Sequence, residues 1–260
     1  MNRALNRRNI LSLMAGFPLL VAGSDTAVAK VEVIERLIRE SQGHPGVSQR
    51  IDFISSKLLG VPYRANTLVG GPRQPEKFVV RDDAFDCVTF CEVVLAAALA
   101  RDIDGFETEL RRIRYDHGKV AYAERNHYWA EWCKRNIENG VCQPVAIEPS
   151  VTIDKIVTWH REFAPRRVSI AAIDKATLFG RASQVAAGDI IGFASRRQGL
   201  DYYHTGFIAF AKSGDLLLRS ASLRHGRVLD EKMASFVAAY SVKYVTLLRA
   251  AERAPVAERR

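Results

Sequence analysis

Residues 87–100, CVTFCEVVLAAALA, are apolar on every side apart from Thr89 and Glu92. A helix that is hydrophobic all round has to be enclosed by other elements of the fold. Asp86 stands directly before this run, where a carboxylate can accept hydrogen bonds from the backbone N–H groups of the first turn. We therefore predict a buried helix that begins at Cys87 with Asp86 as its N-cap.

The predicted start of this helix makes Cys87 a candidate nucleophile. Unpaired N–H groups and the positive end of the helix dipole stabilise a thiolate there, and the same N–H groups can hold an oxyanion. A core position is the commoner fate of a free cysteine when residue type alone is considered. Cys91, one turn further on, lacks the dipole and is predicted to belong to the core.

A thiol nucleophile needs a base, and His204 is the best placed of the six histidines. It begins the apolar strand HTGFIAFA after a polar turn, so that its imidazole can reach a cleft while the strand holds the backbone. Ser213 and Gly214 predict a hairpin turn, which returns residues 216–222 to the side of His204. A third group that orients the imidazole is expected on that returning strand.

Residues 1–29 have the pattern of a secretory signal peptide. Arginines come first, the apolar run ILSLMAGFPLLVAG follows, and small residues end the segment at Ala27-Val28-Ala29. The apolar run is shorter than the roughly 20 residues that span a bilayer. We predict cleavage after Ala29, a single domain over residues 30–260, a periplasmic location and no stable membrane span. The pair Arg7-Arg8 also resembles a twin-arginine export signal.

The chain has 260 residues and a formal net charge of +9. The charge stays positive after removal of residues 1–29, which hold three arginines and one aspartate. A basic protein can bind nucleic acid, anionic lipid or an acidic polymer. The charges are scattered, and no arginine-rich block with interleaved aromatics occurs, so no nucleic-acid partner is predicted. An anionic cell-wall partner is compatible.

Of the four cysteines, Cys133 and Cys142 are close enough in sequence for a disulfide to close a short loop. Two free thiols are equally compatible with the sequence. No pair has C-x-x-C spacing and no histidine lies at zinc-finger spacing, so neither a metal nor another cofactor is predicted.

The period of the hydrophobic pattern changes along the chain. The segments VEVIERLIRESQ and VSQRIDFISSKLLG predict amphipathic helices, and 105–139 is helical with an interruption near His117-Gly118. Residues 61–80 predict an extended loop that leads to a short strand, Phe78–Val80. GDIIGFAS, HTGFIAFA, DLLLRSAS and VKYVTLLRA predict strands. Helices followed by an antiparallel sheet indicate an α+β domain.

The blocks PYRANTL, DCVTFCE, RYDHGKVAYAERNHYWAEW and HTGFI occur in an order that resembles a known family. It is the N-acetylmuramoyl-L-alanine amidase-like branch of the NlpC-type papain-like cell-wall peptidases, and the likeness runs from about Leu59 to Leu229. The resemblance implies a papain-like α+β domain whose nucleophile starts a buried helix packed on an antiparallel sheet. It also implies a cysteine-dependent hydrolase that cuts an amide bond of peptidoglycan stem peptides without a cofactor.

The resemblance assigns roles to individual residues. Cys87 matches the nucleophile, His204 matches the base, and Asp86 matches the acidic residue before the nucleophile. Tyr63 lies in the PY block, and the segment Asn126-His127-Tyr128 matches an element that positions substrate.

The third catalytic position departs from the family pattern. Similar proteins carry a histidine before an Ala-Ser pair, whereas this chain has Ser220 before Ala221 and Ser222. Ser220 is the candidate, and Arg219, His225 or a water molecule are alternatives. Two other functions stay open: a non-catalytic peptidoglycan-binding module, and a thiol acyltransferase that uses the same site. The scissile bond is either the N-acetylmuramoyl-L-alanine amide or the amide between D-glutamate and the diamino acid.

Overall fold

The fold is that of a computed structural model, which describes residues 32–252; the predicted signal segment 1–29 lies outside these residues. The helices in this range are α1 (Glu32–Ser41), α2 (Val47–Lys57), α3 (Cys87–Leu99), α4 (Ile103–Arg114), α5 (Trp129–Glu138), α6 (Lys175–Gly180) and α7 (Met233–Ala239). The strands are β1 (Val69–Gly71), β2 (Gln74–Lys77), β3 (Cys142–Pro144), β4 (Val151–Val157), β5 (Arg166–Asp174), β6 (Ile190–Ala194), β7 (Tyr202–Phe210), β8 (Leu216–Ser222), β9 (Arg227–Lys232) and β10 (Tyr244–Ala250). None of the helices between residues 32 and 252 has the length and apolar character that crossing a membrane requires.

Helix α3 is enclosed as its sequence predicts, with every residue from Thr89 to Ala98 buried. The Asp86 carboxylate accepts from the Thr89 backbone N–H at 2.8 Å, and the Thr89 hydroxyl accepts from the Asp86 backbone N–H at 3.0 Å. This reciprocal cap fixes the start of the helix. Each fully buried Val, Leu or Phe side chain contributes about 1.5–3 kcal/mol to folding. The predicted cap and the predicted buried helix are both confirmed.

The main sheet has eight antiparallel strands in the order β4-β5-β10-β6-β7-β8-β9, with β3 beside β10. Side chains alternate between its two faces, so that Phe207 packs into the core around α3 while Ile208 packs into a second core with α7. The strands expected in the last third of the chain correspond to β6, β7, β8 and β10. The α+β class predicted from the sequence is confirmed.

The region before α3 differs from the sequence expectation. Residues 78–80 form no strand, and the chain instead makes a small hairpin from β1 and β2. The Glu76 carboxylate anchors this hairpin, because it accepts from Tyr115 Oη at 2.8 Å and from Arg125 Nε at 3.0 Å. Gly70 has a φ of +150°, and a Cβ there would lie 1.9 Å from Glu76 Oε2. Only glycine allows the two strands to approach in this way.

The predicted interruption near His117-Gly118 separates α4 from α5. His117 and Gly118 take left-handed φ values of 48° and 69°, which no helix continues through. At the end of α4, Arg114 Nε lies 2.7 Å from Glu92 Oε2 of α3, and both side chains are 2% exposed. Buried charges are tolerated when they are paired and hydrogen-bonded, so this pair fixes α4 against α3.

Candidate active site

A pocket of about 230 Å³ brings Cys87 and His204 together. Cys87 comes from the first turn of α3, and His204 comes from β7. The rest of the lining comes from α3, the start of α5 and the segment before it, the β4–β5 connection, the segment before β7 and β7 itself: Val88, His127, Tyr128, Trp129, Trp159, His160, Leu200, Asp201, Tyr202, Tyr203 and Thr205. A thiol and an imidazole that share a pocket are the minimum set for acyl transfer.

Cys87 is half-buried, and its thiol is a weaker acid than an ordinary cysteine thiol. Burial, followed by the charge of the Asp86 carboxylate, raises the pKa of the Cys87 thiol to about 12, although backbone N–H groups of Thr205, Cys87 and Val88 act to lower it. The N–H groups at the start of α3 favour the thiolate, as the sequence predicts, but the net pKa of the thiol is raised. Loss of solvation outweighs the N–H groups. The thiol is protonated at neutral pH.

His204 is held in one orientation. Its Nε2 lies 2.9 Å from Ser220 Oγ, and its ring lies against Phe193 and Phe236 at centroid distances of 6.2 Å and 5.3 Å. Burial lowers the pKa of His204 to about 4, so the imidazole is neutral at pH 7. Because Nε2 is hydrogen-bonded to Ser220, Nδ1 is the ring nitrogen that is left to exchange a proton with a group in the pocket.

The strand pairing explains how Ser220 reaches His204. Strands β7 and β8 are antiparallel, with Phe207 opposite Arg219, which sets Ser220 beside Gly206. A Cβ at Gly206 would lie 2.6 Å from the Arg219 carbonyl oxygen and 2.8 Å from Ser220 Cβ. The glycine therefore keeps open the space through which the His204 and Ser220 side chains meet.

Arg219 and His225, the alternatives to Ser220, have other partners. The Arg219 guanidinium donates to both carboxylate oxygens of Asp230 at 2.7 and 2.8 Å, and to Asp52 Oδ1 at 2.9 Å. His225 Nδ1 lies 3.1 Å from Ser222 Oγ. Of the three candidates, Ser220 is the one in contact with His204.

Tyr63 and Asp86 are not among the residues that line the pocket, although Asp86 directly precedes Cys87 in the chain. The Tyr63 backbone N–H donates to the Gly226 carbonyl at 2.8 Å, which ties this residue to the turn between β8 and β9. Burial, together with the negative charges of Cys87 and Asp86 when ionised, raises the pKa of Tyr63. The raised pKa keeps the Tyr63 phenol protonated at neutral pH. One oxygen of the Asp86 carboxylate is engaged in capping α3.

The segment 126–128 divides into a structural residue and two pocket residues. Asn126 is 9% exposed, donates to the Ile113 carbonyl at 3.0 Å and accepts from Arg135 at 2.7 Å. These contacts use both ends of its amide, and Asn126 is not among the residues that line the pocket, so the described contacts give it a supporting position in the segment. His127 and Tyr128 do line the pocket. Burial lowers the pKa of His127 to about 4.

The other three cysteines are buried away from the pocket. Cys91 Sγ lies 3.7 Å from Thr205 Oγ1 in the core, as expected for Cys91. Cys133 and Cys142, for which the sequence left a disulfide open, are free thiols. Between residues 32 and 252, no group of three or more His, Cys, Asp or Glu side chains could hold a metal ion.

Residues 53–242 match the AmiA-like family, described as N-acetylmuramoyl-L-alanine amidase-like. The chain belongs to this family. No protein of curated function matches it.

Solved structures support the amidase-like fold. An N-acetylmuramoyl-L-alanine amidase from Bacteroides uniformis is 27% identical, with a TM-score of 0.68, over 76% of this chain and 97% of that chain. A Legionella pneumophila protein is 22% identical with a TM-score of 0.74, over 86% of this chain and 95% of that one. A Bacteroides fragilis protein described as a putative xylanase is 24% identical with a TM-score of 0.65, over 75% and 98%. The last two likenesses concern the fold alone.

Sequence reasoning within this amidase-like chain missed part of the pocket. Trp159 and His160 come from the β4–β5 connection, and Asp201 comes from the segment before β7. Asp201 accepts from the Ala130 backbone N–H at 2.7 Å and so ties α5 to the pocket. The sequence signal that could have indicated these residues is the cluster of aromatic side chains in TWHREF, residues 158–163, within an otherwise polar connection.

Proposed function

We propose that this member of the amidase-like family is an exported cysteine hydrolase that cleaves an amide bond of peptidoglycan stem peptides. The observation that carries the proposal is that Cys87 and His204 line one pocket while Ser220 holds the imidazole. Family membership supports the peptidoglycan substrate. The proposal includes a papain-like, NlpC-type arrangement, with Cys87 as nucleophile, His204 as base and Ser220 as the residue that orients the base.

The first chemical step starts from two neutral groups. Because the pKa of Cys87 is raised and that of His204 is lowered, an ion pair between the two side chains is unfavourable. The thiol proton therefore moves to His204 Nδ1 as the sulfur attacks the amide carbonyl. The carbonyl oxygen becomes an oxyanion, and the N–H groups at the start of α3 donate to it. This proton transfer is coupled to bond formation.

The second half of the reaction regenerates the site. The imidazolium gives its proton to the leaving amine, the C–N bond breaks and a thioester to Cys87 remains. His204 then accepts a proton from water as the water attacks the thioester. The acid product leaves, and the sulfur recovers its proton. No cofactor takes part in these steps.

Substrate positioning is assigned to residues around the thiol. Tyr63, whose phenol is protonated, is assigned as a hydrogen-bond donor to substrate, and His127 and Tyr128 form part of the pocket wall. Tyr128 is itself fixed, since its hydroxyl accepts from the His160 backbone N–H at 3.1 Å. Rigid aromatic groups of this kind orient a peptide at low entropic cost.

Export is a separate part of the proposal. Residues 1–29 have the signal-peptide pattern, so the mature protein is expected to begin at Lys30 and to reside in the periplasm. N-terminal sequencing of the cell-associated protein tests this. A protein recovered from the cytosol with Met1 in place would refute it.

Mass spectrometry of purified muropeptides tests the activity. We expect the mature protein to release an amine from the stem peptide and Cys87→Ala to lower the rate by at least about 10³. Cys91→Ala is the matched control and should keep the rate, because Cys91 is a core residue. Cleavage by Cys87→Ala at the unmodified rate would overturn the mechanism. Binding without release of amine would indicate a non-catalytic module, and a conjugate with an added amine would indicate acyl transfer.

A further inference from the structure

Trp159 is an exposed aromatic residue at the edge of the pocket. Its side chain is 51% exposed, and it lines the pocket that contains Cys87 and His204. A large apolar side chain in this position leaves its ring surface in water unless a ligand covers it. No role in the chemistry proposed above uses Trp159. Its place beside the thiol suggests a contact with substrate.

The backbone around Trp159 is fixed to a second loop. The N–H groups of Thr158 and Trp159 both donate to the Gly199 carbonyl, at 2.9 Å and 3.1 Å. Gly199 has a φ of +78°, and a Cβ there would lie 2.5 Å from Thr158 Oγ1. Glycine is therefore needed for this close approach. Residues 158–160 and 195–201 together form one surface, the aromatic wall.

Lys155 on β4 holds the second loop of the aromatic wall. Its ammonium donates to the carbonyls of Ser195 and Leu200, and to that of Arg197 at 3.2 Å. The Arg197 guanidinium in turn lies over the Trp159 ring, 5.0 Å from its centroid. This cation–π contact favours the observed orientation of the indole. Trp159 is thus an exposed ring on a backbone that hydrogen bonds hold in place, which is the arrangement of a preformed binding surface.

The chemistry of the substrate decides which part meets this surface. In a muramoyl peptide the sugar is uncharged, because its lactyl carboxyl group is part of the amide, and one side of the pyranose ring presents C–H groups. Such a side packs well on a flat indole. The stem peptide carries carboxylates, which complement the charge of two exposed arginines near Tyr63, Arg64 and Arg227. Arg64 follows Tyr63 in the chain, and Arg227 follows Gly226, whose carbonyl accepts from the Tyr63 N–H.

We propose that Trp159 binds the sugar ring of the N-acetylmuramoyl group and thereby places the acyl side of the amide at Cys87. This inference rests on the proposed function and adds a residue that determines specificity. It requires the glycan part of the substrate to contribute to binding. A sugar-free peptide with the same amide bond should not sense Trp159.

Calorimetry on the Cys87→Ala protein tests the inference without turnover. The two probes are N-acetylmuramoyl-L-alanyl-D-isoglutamine and D-lactoyl-L-alanyl-D-isoglutamine, which share the amide and differ in the sugar. Adding Trp159→Ala should weaken the muramoyl probe about tenfold and the lactoyl probe less than twofold, whereas Trp159→Tyr should keep most of the affinity. Phe210→Ala is the matched control, since Phe210 is 40% exposed and lies at the opposite end of β7 from His204.

Each outcome bears on the inference. Equal weakening of both probes would overturn it, because Trp159 would then act on the peptide or on the shape of the pocket. An unchanged affinity for the muramoyl probe would overturn it as well, provided that thermal melts show folded protein. Failure of the proposed function would be seen separately, in the release of amine by the protein that retains Cys87. If this protein binds the muramoyl probe through Trp159 but releases no amine from any muropeptide, the inference is supported and hydrolysis is refuted.

Discussion

The Cys87 thiol combines a helix start, which favours its anion, with burial and a neighbouring carboxylate, which oppose it. The opposing effects dominate and raise its pKa to about 12. Alkylation by iodoacetamide requires the thiolate. We therefore expect the rate of Cys87 alkylation to rise with pH up to at least pH 10, without a plateau near neutrality.

A substitution separates the two causes of the raised pKa. Asparagine is as good an N-cap as aspartate, so Asp86→Asn should keep α3 capped while it removes the charge. Alkylation of Cys87 at pH 8, followed by peptide mass spectrometry, should become several-fold faster than in the unmodified protein. The buried thiols Cys91, Cys133 and Cys142 are internal controls in the same digest. An unchanged rate in Asp86→Asn would assign the raised pKa to burial alone.

The Ser220 hydroxyl lies 2.9 Å from His204 Nε2. A neutral hydroxyl orients the imidazole but supplies no charge, so its loss should reduce activity without abolishing it. Ser220→Ala is expected to lower kcat about tenfold with little change in KM. Leaving a buried ring nitrogen unpaired should also cost about 1–3 kcal/mol of stability.

Ser222→Ala is the matched control for Ser220→Ala. Ser222 is on the same strand and buried, but its partner is His225. It should keep kcat close to that of the unmodified protein in the same muropeptide assay. If Ser220→Ala is fully active, a bound water molecule orients His204, and Ser220 has only a structural role.

The helices and strands that can be predicted from the sequence are those with strong local signals. The all-apolar run behind Asp86 predicts α3 and its cap, and the Ser213-Gly214 turn predicts that β8 returns beside His204. Asn126 shows the limit of such reasoning, because its amide partners, Ile113 and Arg135, depend on how α4 and α5 pack. A residue in a matching block can support the site without touching substrate.

Two hairpins escaped prediction for different reasons. The β1–β2 hairpin contains Gly-Gly-Pro, which indicates a loop, and its shape depends on the distant partners of Glu76. The β4–β5 hairpin lies at the edge of the sheet, and most of β4 is exposed or half-buried. Its polar residues hide the alternation that marks a strand. This second hairpin carries Trp159 and His160, so the missed element includes part of the candidate site.

Lys155 on strand β4 donates hydrogen bonds to three backbone carbonyls of the loop before β7. Lys155→Met keeps the aliphatic stem and removes the donors. We expect hydrogen exchange in residues 195–201 to become faster and KM for muropeptides to rise about fivefold, with a smaller effect on kcat. Lys212→Met, in the turn after β7, is the control. Unchanged exchange in 195–201 would show that the loop does not depend on Lys155.

The whole molecule brings the site together from segments that are far apart in sequence. Tyr63, Cys87, His127, His204 and Ser220 come from the region before α3, from α3 itself, from the segment before α5 and from two strands of the sheet. The sheet separates a large core around α3 from a smaller one around α7. Burial lowers the pKa of His127 and of His204, so their protonation is linked to the stability of the folded domain.

Burial lowers the pKa of both His127 and His204 to about 4, against an ordinary value of 6.5. Between pH 6.5 and pH 4 the unfolded chain therefore binds protons that the folded protein does not, so the free energy of unfolding falls as the pH falls through this range. Full stability from this source is present above pH 6.5. For His204 the loss by pH 4.5 is at most about 3 kcal/mol. Urea denaturation at pH 7 and pH 4.5 should show this decrease.

Two variants decide whether the buried histidines cause the acid sensitivity. His204→Gln cannot gain a proton, so the difference in unfolding free energy between pH 7 and pH 4.5 should shrink by about 2–3 kcal/mol, even if the variant is less stable at both pH values. His117→Gln is the control, because the His117 side chain is 89% exposed, and it should keep the full difference. If His204→Gln retains the same pH dependence as the unmodified protein, carboxylates rather than this imidazole control the acid response, and His204 is then more accessible to water than its packing against Phe193 and Phe236 indicates.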